Sequence, residues 1–310
     1  MSVRPAPSRS AETSIGPGSA TLLVAFSACC FGTIAILVTV ATRAGARLSE
    51  VLAWRYLIAA VLLAFVAGGP AAIRRTGRRS LVVMALAGGG QAAVAGLSLS
   101  ALRFIPTATM AFLFYTYPTW VTVIAAVRGD EPLTGRRLLA LALSLAGIVA
   151  MVGLPGRGAS TDATPGVMLA LAGALLYALY IPMLGQFSRE LGAALASTFM
   201  AAGAAVILGV VAMVGGGMSV AQPSVVWLAI GVMAVLCSVV AFMCFLRGLE
   251  TLGPVRTAIV STVEPFWGAL LASLVLAQPL TARTLLGGAL VAAAVIILNL
   301  PTREIAPAVA

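Results

Sequence analysis

The chain has 310 residues, 61% of them hydrophobic and only 9% charged, and a mean hydropathy of +1.09. Soluble domains carry about 25% charged residues, because a folded surface in water must stay wet, so lipid is the solvent for most of this chain. The net charge of +10 comes from 19 basic residues, all arginine, which lie in short gaps between apolar runs, with no basic, aromatic-interleaved face of the kind that binds nucleic acid.

Residues 1–19 are rich in Pro, Ser, Gly and Ala and read as a disordered tail. Ten apolar runs follow, at 20–41, 48–68, 81–102, 106–127, 135–154, 166–186, 192–214, 224–246, 254–276 and 282–300. Each approaches the ~20 residues that a helix needs to cross ~30 Å of hydrocarbon. Runs this continuous are not the alternating strands of a barrel, and a helix satisfies its own backbone in lipid. The expected fold is therefore an all-α integral membrane protein of ten transmembrane helices. A linker spans 155–165 and a tail 301–310. The four cysteines, Cys29, Cys30, Cys237 and Cys244, sit inside apolar runs without metal-ligand spacing and read as packing residues.

Arginine position sets orientation. With the N-terminus in the cytoplasm, thirteen arginines fall on the inner side, Arg74, Arg75, Arg78 and Arg79 among them, and five on the outer side. The sequence thus predicts a multi-pass protein of the cytoplasmic membrane with both termini inside. Histidine and lysine are both absent, which removes the commonest general base and metal ligand, Schiff-base chemistry and the lysine of a phosphate loop. No enzymatic activity, cofactor or metal is expected.

The chain repeats itself. Tyr117-Pro118 and Glu131-Pro132-Leu133-Thr134 return as Glu264-Pro265 and Gln278-Pro279-Leu280-Thr281, both at an offset of 147. Ala101-Leu102-Arg103 matches Phe245-Leu246-Arg247, and Leu52-Ala53 matches Leu195-Ala196. Spans 1–5 and 6–10 are two copies of one unit. Five is odd, so the second copy enters the membrane inverted, as in many secondary transporters whose site lies near the midplane between the halves.

These residues resemble the EamA-type transporters of the drug/metabolite transporter superfamily. The likeness is carried by Arg55 in LAWRYLIAA, by the stretch from ATMAFLFYTYPTW to LSLAGIVAMV, and by its second copy from TAIVSTVEPFW to VIILNL. It covers residues 20–300, with halves at 20–154 and 166–300. Where the family has Glu after the fourth span of each half, this chain has Glu131 and then Gln278. The resemblance implies export or exchange of small metabolites or drugs by alternating access, with proton coupling as an option. A passive channel for a small polar solute is the alternative. The expected partners are a small-molecule substrate and membrane lipid, and the oligomeric state is open, since two fused halves can work as a monomer.

Polar residues within the spans are the candidate site. Glu264 lies about 15 Å into span 9, where a carboxylate costs on the order of 3 kcal/mol. It is either a proton-exchanging group or a structural carboxylate. Arg55, in span 2, either lines the cavity, binds an anionic substrate group, pairs with Glu264 or snorkels to the headgroups. Pro118 and Pro265 are expected to kink spans 4 and 9 and act as hinges, or to be tolerated kinks. Gln91, Tyr115, Tyr117, Trp120, Tyr177, Tyr180 and Trp267 form an aromatic and polar pocket or serve packing. Gly88 to Gly90 and the Gly287-Gly288 pair read as places of close helix approach.

Overall fold

The computed structural model describes residues 15–105, 107–130, 132–152, 163–277 and 279–300. Most of both expected tails and of the 155–165 linker, together with Glu131 and Gln278, lies outside them. Among the described residues the chain forms helices and turns with no strand.

The first helix, α1, runs Pro17–Arg43. Its leading proline needs no N–H partner in the first turn, so residues 17–19 belong to the helix and not to the tail expected there. The helix α2 covers Leu48–Val66. A short helix that the sequence did not suggest, α3 (Gly69–Arg75), occupies the arginine-rich loop, entered through Gly68 and Gly69 at φ 98° and 74°. The third run comprises α4 (Arg78–Val83), a wider π turn at Met84–Gly88 and α5 (Gly89–Ala101). The fourth is broken into α6 (Thr107–Phe114) and α7 (Tyr117–Arg128), and the fifth is α8 (Gly135–Val152).

The second half follows the same plan: α9 (Thr164–Leu191), α10 (Ala193–Val214), α11 (Ser224–Ala234), a π turn at Val235–Val240, α12 (Ala241–Val260), α13 (Val263–Leu276) and α14 (Ala282–Asn299). Thr164 and Pro165, expected in the linker, open α9, where proline is again suited to the first turn. Among the described residues eight helical stretches are long and apolar enough to cross a membrane. One of them, Ser224–Val260, is 37 residues long and turns at Gly253, whose φ of 75° and ψ of 169° suit only glycine, with Pro254 next in line.

Packing follows the repeat. The helix α2 lies along α10 and α8 along α14, while α1 packs on α12 and α13 as α9 packs on α5, α6 and α7. Exchanging the halves maps the α2–α10 and α8–α14 pairings onto themselves and the α1 and α9 pairings onto each other. Glycines permit the closest crossings. A Cβ on Gly88 would fall 2.3 Å from Gly203 Cα, and one on Gly147 would fall 2.7 Å from the Gly287 carbonyl oxygen. Helices in lipid associate through van der Waals fit, because tails and side chains are equally apolar, and small residues bring backbones together. Arginines finish helix ends: Arg256 donates to the Leu298 carbonyl at 2.8 Å, and Arg47 to the carbonyls of Gly215, Gly216 and Gly217 at 2.7, 3.0 and 2.7 Å.

Candidate functional site

The fourth and ninth runs are interrupted within one residue of equivalent places, at Tyr115-Thr116 and Ser261-Thr262. Thr116, Ser261 and Thr262 keep right-handed helical dihedrals, and each interruption lies within the turn before Pro118 or Pro265, where a proline takes away a helical hydrogen bond, as in the kinks the sequence suggested. Each proline sits in the first turn of the helix that resumes, α7 or α13, where a missing N–H costs little. The turns are closed by Thr119 N–H to the Thr116 carbonyl at 2.9 Å and by Glu264 N–H to the Ser261 carbonyl at 3.0 Å.

The breaks meet. Glu264 stands in the first turn of α13, the end of a helix dipole that favours a carboxylate. Its partner is the Tyr115 hydroxyl, from the break in the other half. Tyr117 is fully buried behind this contact, and its hydroxyl donates to the Ala258 carbonyl at 3.4 Å. On the far side of Glu264, α1 presses close at Gly32, where a Cβ would lie 2.6 Å from the Glu264 carbonyl oxygen.

Beside Glu264 is a cavity of about 160 Å³ between the halves. Its polar lining is Arg55, Tyr56, Gln91, Tyr177, Tyr180 and Glu264, and Phe31, Phe114, Phe242 and Phe245 contribute apolar walls. The Gln91 amide donates to the Tyr56 hydroxyl at 3.0 Å. Tyr177 stacks on Phe114 with ring centroids 5.5 Å apart and meets Tyr117 edge-on at 4.8 Å.

Arg55 is only 4% exposed. It does not snorkel, because it is claimed inside the bundle. Its Nε donates to Ser238 Oγ at 2.8 Å and one terminal nitrogen to the Cys237 carbonyl at 3.2 Å, with Cζ 4.7 Å from the Tyr56 ring centroid. Both acceptors lie in the π turn at Val235–Val240. A π turn frees a backbone carbonyl from the ordinary helical ladder, and Arg55 takes it up. The π turn of the first half is used alike: the Tyr180 hydroxyl, from α9, donates to the Ala87 carbonyl at 2.5 Å.

The structure thus gathers Arg55, Gln91, Tyr177, Tyr180 and Glu264 around one cavity, with Tyr117 behind its wall. It does not bring the two tryptophans there. Trp267 packs against α1 and donates to Thr33 Oγ1 at 3.1 Å. Trp120 is 38% exposed on the outer surface of α7. Sequence reasoning missed Tyr56, Ser238 and the phenylalanines. The only signal was the adjacency of Tyr56 to Arg55, since Phe31, Phe242 and Phe245 lie in uniformly apolar runs. A larger recess of about 550 Å³ opens at one end of the bundle, lined by Arg128, Asp130, Arg137, Gln186, Arg189 and Glu250.

Two repeated helical halves enclosing a polar cavity in an apolar bundle define a membrane transporter. The profile of the EamA-like transporter family matches residues 18–153 and again residues 164–300. The chain belongs to that family, a multi-pass membrane transporter of the drug/metabolite type. No curated protein matches the sequence. One crystal structure is similar at 20% identity with a TM-score of 0.77, over 91% of this chain and 97% of that chain, a likeness of fold.

Proposed function

We propose that this chain is a ten-span secondary transporter that exports or exchanges a small metabolite or drug across the cytoplasmic membrane by alternating access, with Glu264 as its proton-exchanging group. The observation that carries the reading is the cavity beside the two helix breaks, where the ionisable side chains of Glu264 and Arg55 stand in a wall that is otherwise aromatic, aliphatic and, at Gln91, amide. Ten crossings are supported by the eight long stretches, by α8, and by the turn at Gly253, after which residues 254–260 and α13 together make a further crossing. Five crossings per half make the halves inverted. The arginine asymmetry supports cytoplasmic termini, which puts the 550 Å³ recess on the cytoplasmic side as an entry vestibule.

Interrupted spans suit such a cycle. A helix already broken at 115–116 and 261–262 can swing its two halves separately without losing further backbone bonds, and Pro118 and Pro265 keep the breaks from healing into continuous helix. Both walls of the cavity come from one chain, so the proposed working unit is a monomer.

The substrate is to be found by metabolite profiling of a deletion strain against an overexpressing strain. Its flux is then measured in proteoliposomes with and without an imposed pH gradient. Glu264→Gln should keep folding and substrate binding but lose gradient-driven flux, and Glu264→Asp should retain part of it. Equal gradient-driven flux in the wild type and Glu264→Gln would remove Glu264 from coupling.

A further inference from the structure

The break in the fourth run has a second face. On the side away from the polar cavity, Phe112, Thr116, Thr119, Trp120, Leu145, Ile148, Val149 and Leu171 enclose a groove of about 360 Å³ between α6, α7, α8 and α9. Its lining is hydrocarbon and aromatic carbon almost throughout. The Thr116 hydroxyl is spent on the Leu113 carbonyl at 2.6 Å. Ile148 lies thirteen residues into α8 and Leu171 seven residues into α9, which puts the groove roughly 20 Å and 10 Å from those helix ends and so within the hydrocarbon depth.

We propose that this groove is a binding site for one acyl chain of a membrane phospholipid, held beside the break at Tyr115-Thr116. Water has too few polar partners to fill it. An apolar cavity of about 150 Å³ already takes up a benzene-sized guest, and this one has room for a length of chain. The groove is continuous with the lipid-facing surface of the bundle: Trp120 stands exposed at its rim, and Val123 and Val127 continue that surface along α7. The two halves differ at this point. The repeat-related position of Thr119 is Phe266, whose ring lies directly on Gly288, where a Cβ would come within 2.2 Å of it. Threonine leaves no such ring in the first half.

The test uses Trp120 as the reporter. Trp54, Trp227 and Trp267 are changed to Phe, and the purified protein in detergent micelles is titrated with phosphatidylcholine brominated on its acyl chains. A tryptophan-free variant carrying Val210→Trp, on the exposed face of α10, reports ordinary lipid contact. Trp120 fluorescence should be quenched in a saturable way at lipid fractions where the Val210→Trp reporter is hardly affected, and Thr119→Phe should abolish the saturable part. Identical quenching at both places, unmoved by Thr119→Phe, would overturn the proposal. Native mass spectrometry of the otherwise unmodified chain gives an answer that does not need the tryptophan replacements. The wild type should retain one phospholipid more than Thr119→Phe. A wild-type dimer that Thr119→Phe dissociates would assign the groove to a second copy of the chain and overturn the proposal as well.

Discussion

Gly203→Ala adds one methyl group where α10 crosses the π turn of the third run. The new Cβ would stand 2.2 Å from the Met84 carbonyl oxygen and 2.8 Å from Gly88 Cα. Both neighbours are backbone, so no side chain can rotate aside, and the helices must part by about 1 Å or more to restore van der Waals distance. Overpacking of this kind costs about 1–3 kcal/mol. Gly209→Ala is the control: it lies on the same helix, and nothing stands within 4 Å of its Cβ. Both variants gain the same helix preference of about 0.5–1 kcal/mol, so it cancels in the comparison. Gly203→Ala should therefore unfold more readily than Gly209→Ala by about 1–3 kcal/mol, read from helical circular dichroism during titration of mixed micelles with dodecyl sulfate. It should also slow transport, because the same crossing positions Gln91 and the Ala87 carbonyl that holds Tyr180. Equal stability of the two variants would refute the close crossing of the halves at this point.

Arg55→Ala removes the cation of the cavity together with its bonds to Ser238 and Cys237. In a panel of compounds matched in shape it should weaken transport of anionic and zwitterionic members more than neutral ones, and a uniform loss across the panel would assign Arg55 to structure alone. Reporter fusions after residue 77 should read cytoplasmic and after residue 219 external, and the reverse at both sites would overturn the orientation.

Much of the architecture is legible in the sequence because lipid imposes length: runs near twenty residues, punctuated by arginines, outline the spans. The offset of 147 between Pro118 and Pro265 also exposes the repeat. The inner face of each helix is harder to read. In water, apolar residues mark the inside; in lipid both faces are apolar, so what marks the inside is a strongly polar side chain deep in a span, as Arg55, Gln91 and Glu264 are. Trp120 and Trp267 occupy equivalent places in the two copies, yet one faces outward and the other hydrogen-bonds Thr33. Aromatic identity alone does not separate those fates. The π turns at 84–88 and 235–240 have no composition of their own, because they exist to serve long-range partners, Tyr180 and Arg55. Proline in the fourth and ninth runs was visible, and both interruptions fall in the turn before it; what the sequence did not show is how the turns close, through the Thr116 and Ser261 carbonyls.

Alternating exposure of the cavity is the central claim, and Gln91→Cys in a background with Cys29, Cys30, Cys237 and Cys244 replaced by serine tests it most directly. Gln91 lines the cavity from α5 and makes its hydrogen bond across to Tyr56. In oriented proteoliposomes, a membrane-impermeant maleimide is applied to one face at a time, with and without a pH gradient. The introduced cysteine should react from both faces, and a condition that speeds reaction from one face should slow it from the other. Reaction from a single face under every condition, or from both faces at rates that rise together, would contradict the account and point to a fixed pocket or an open pore.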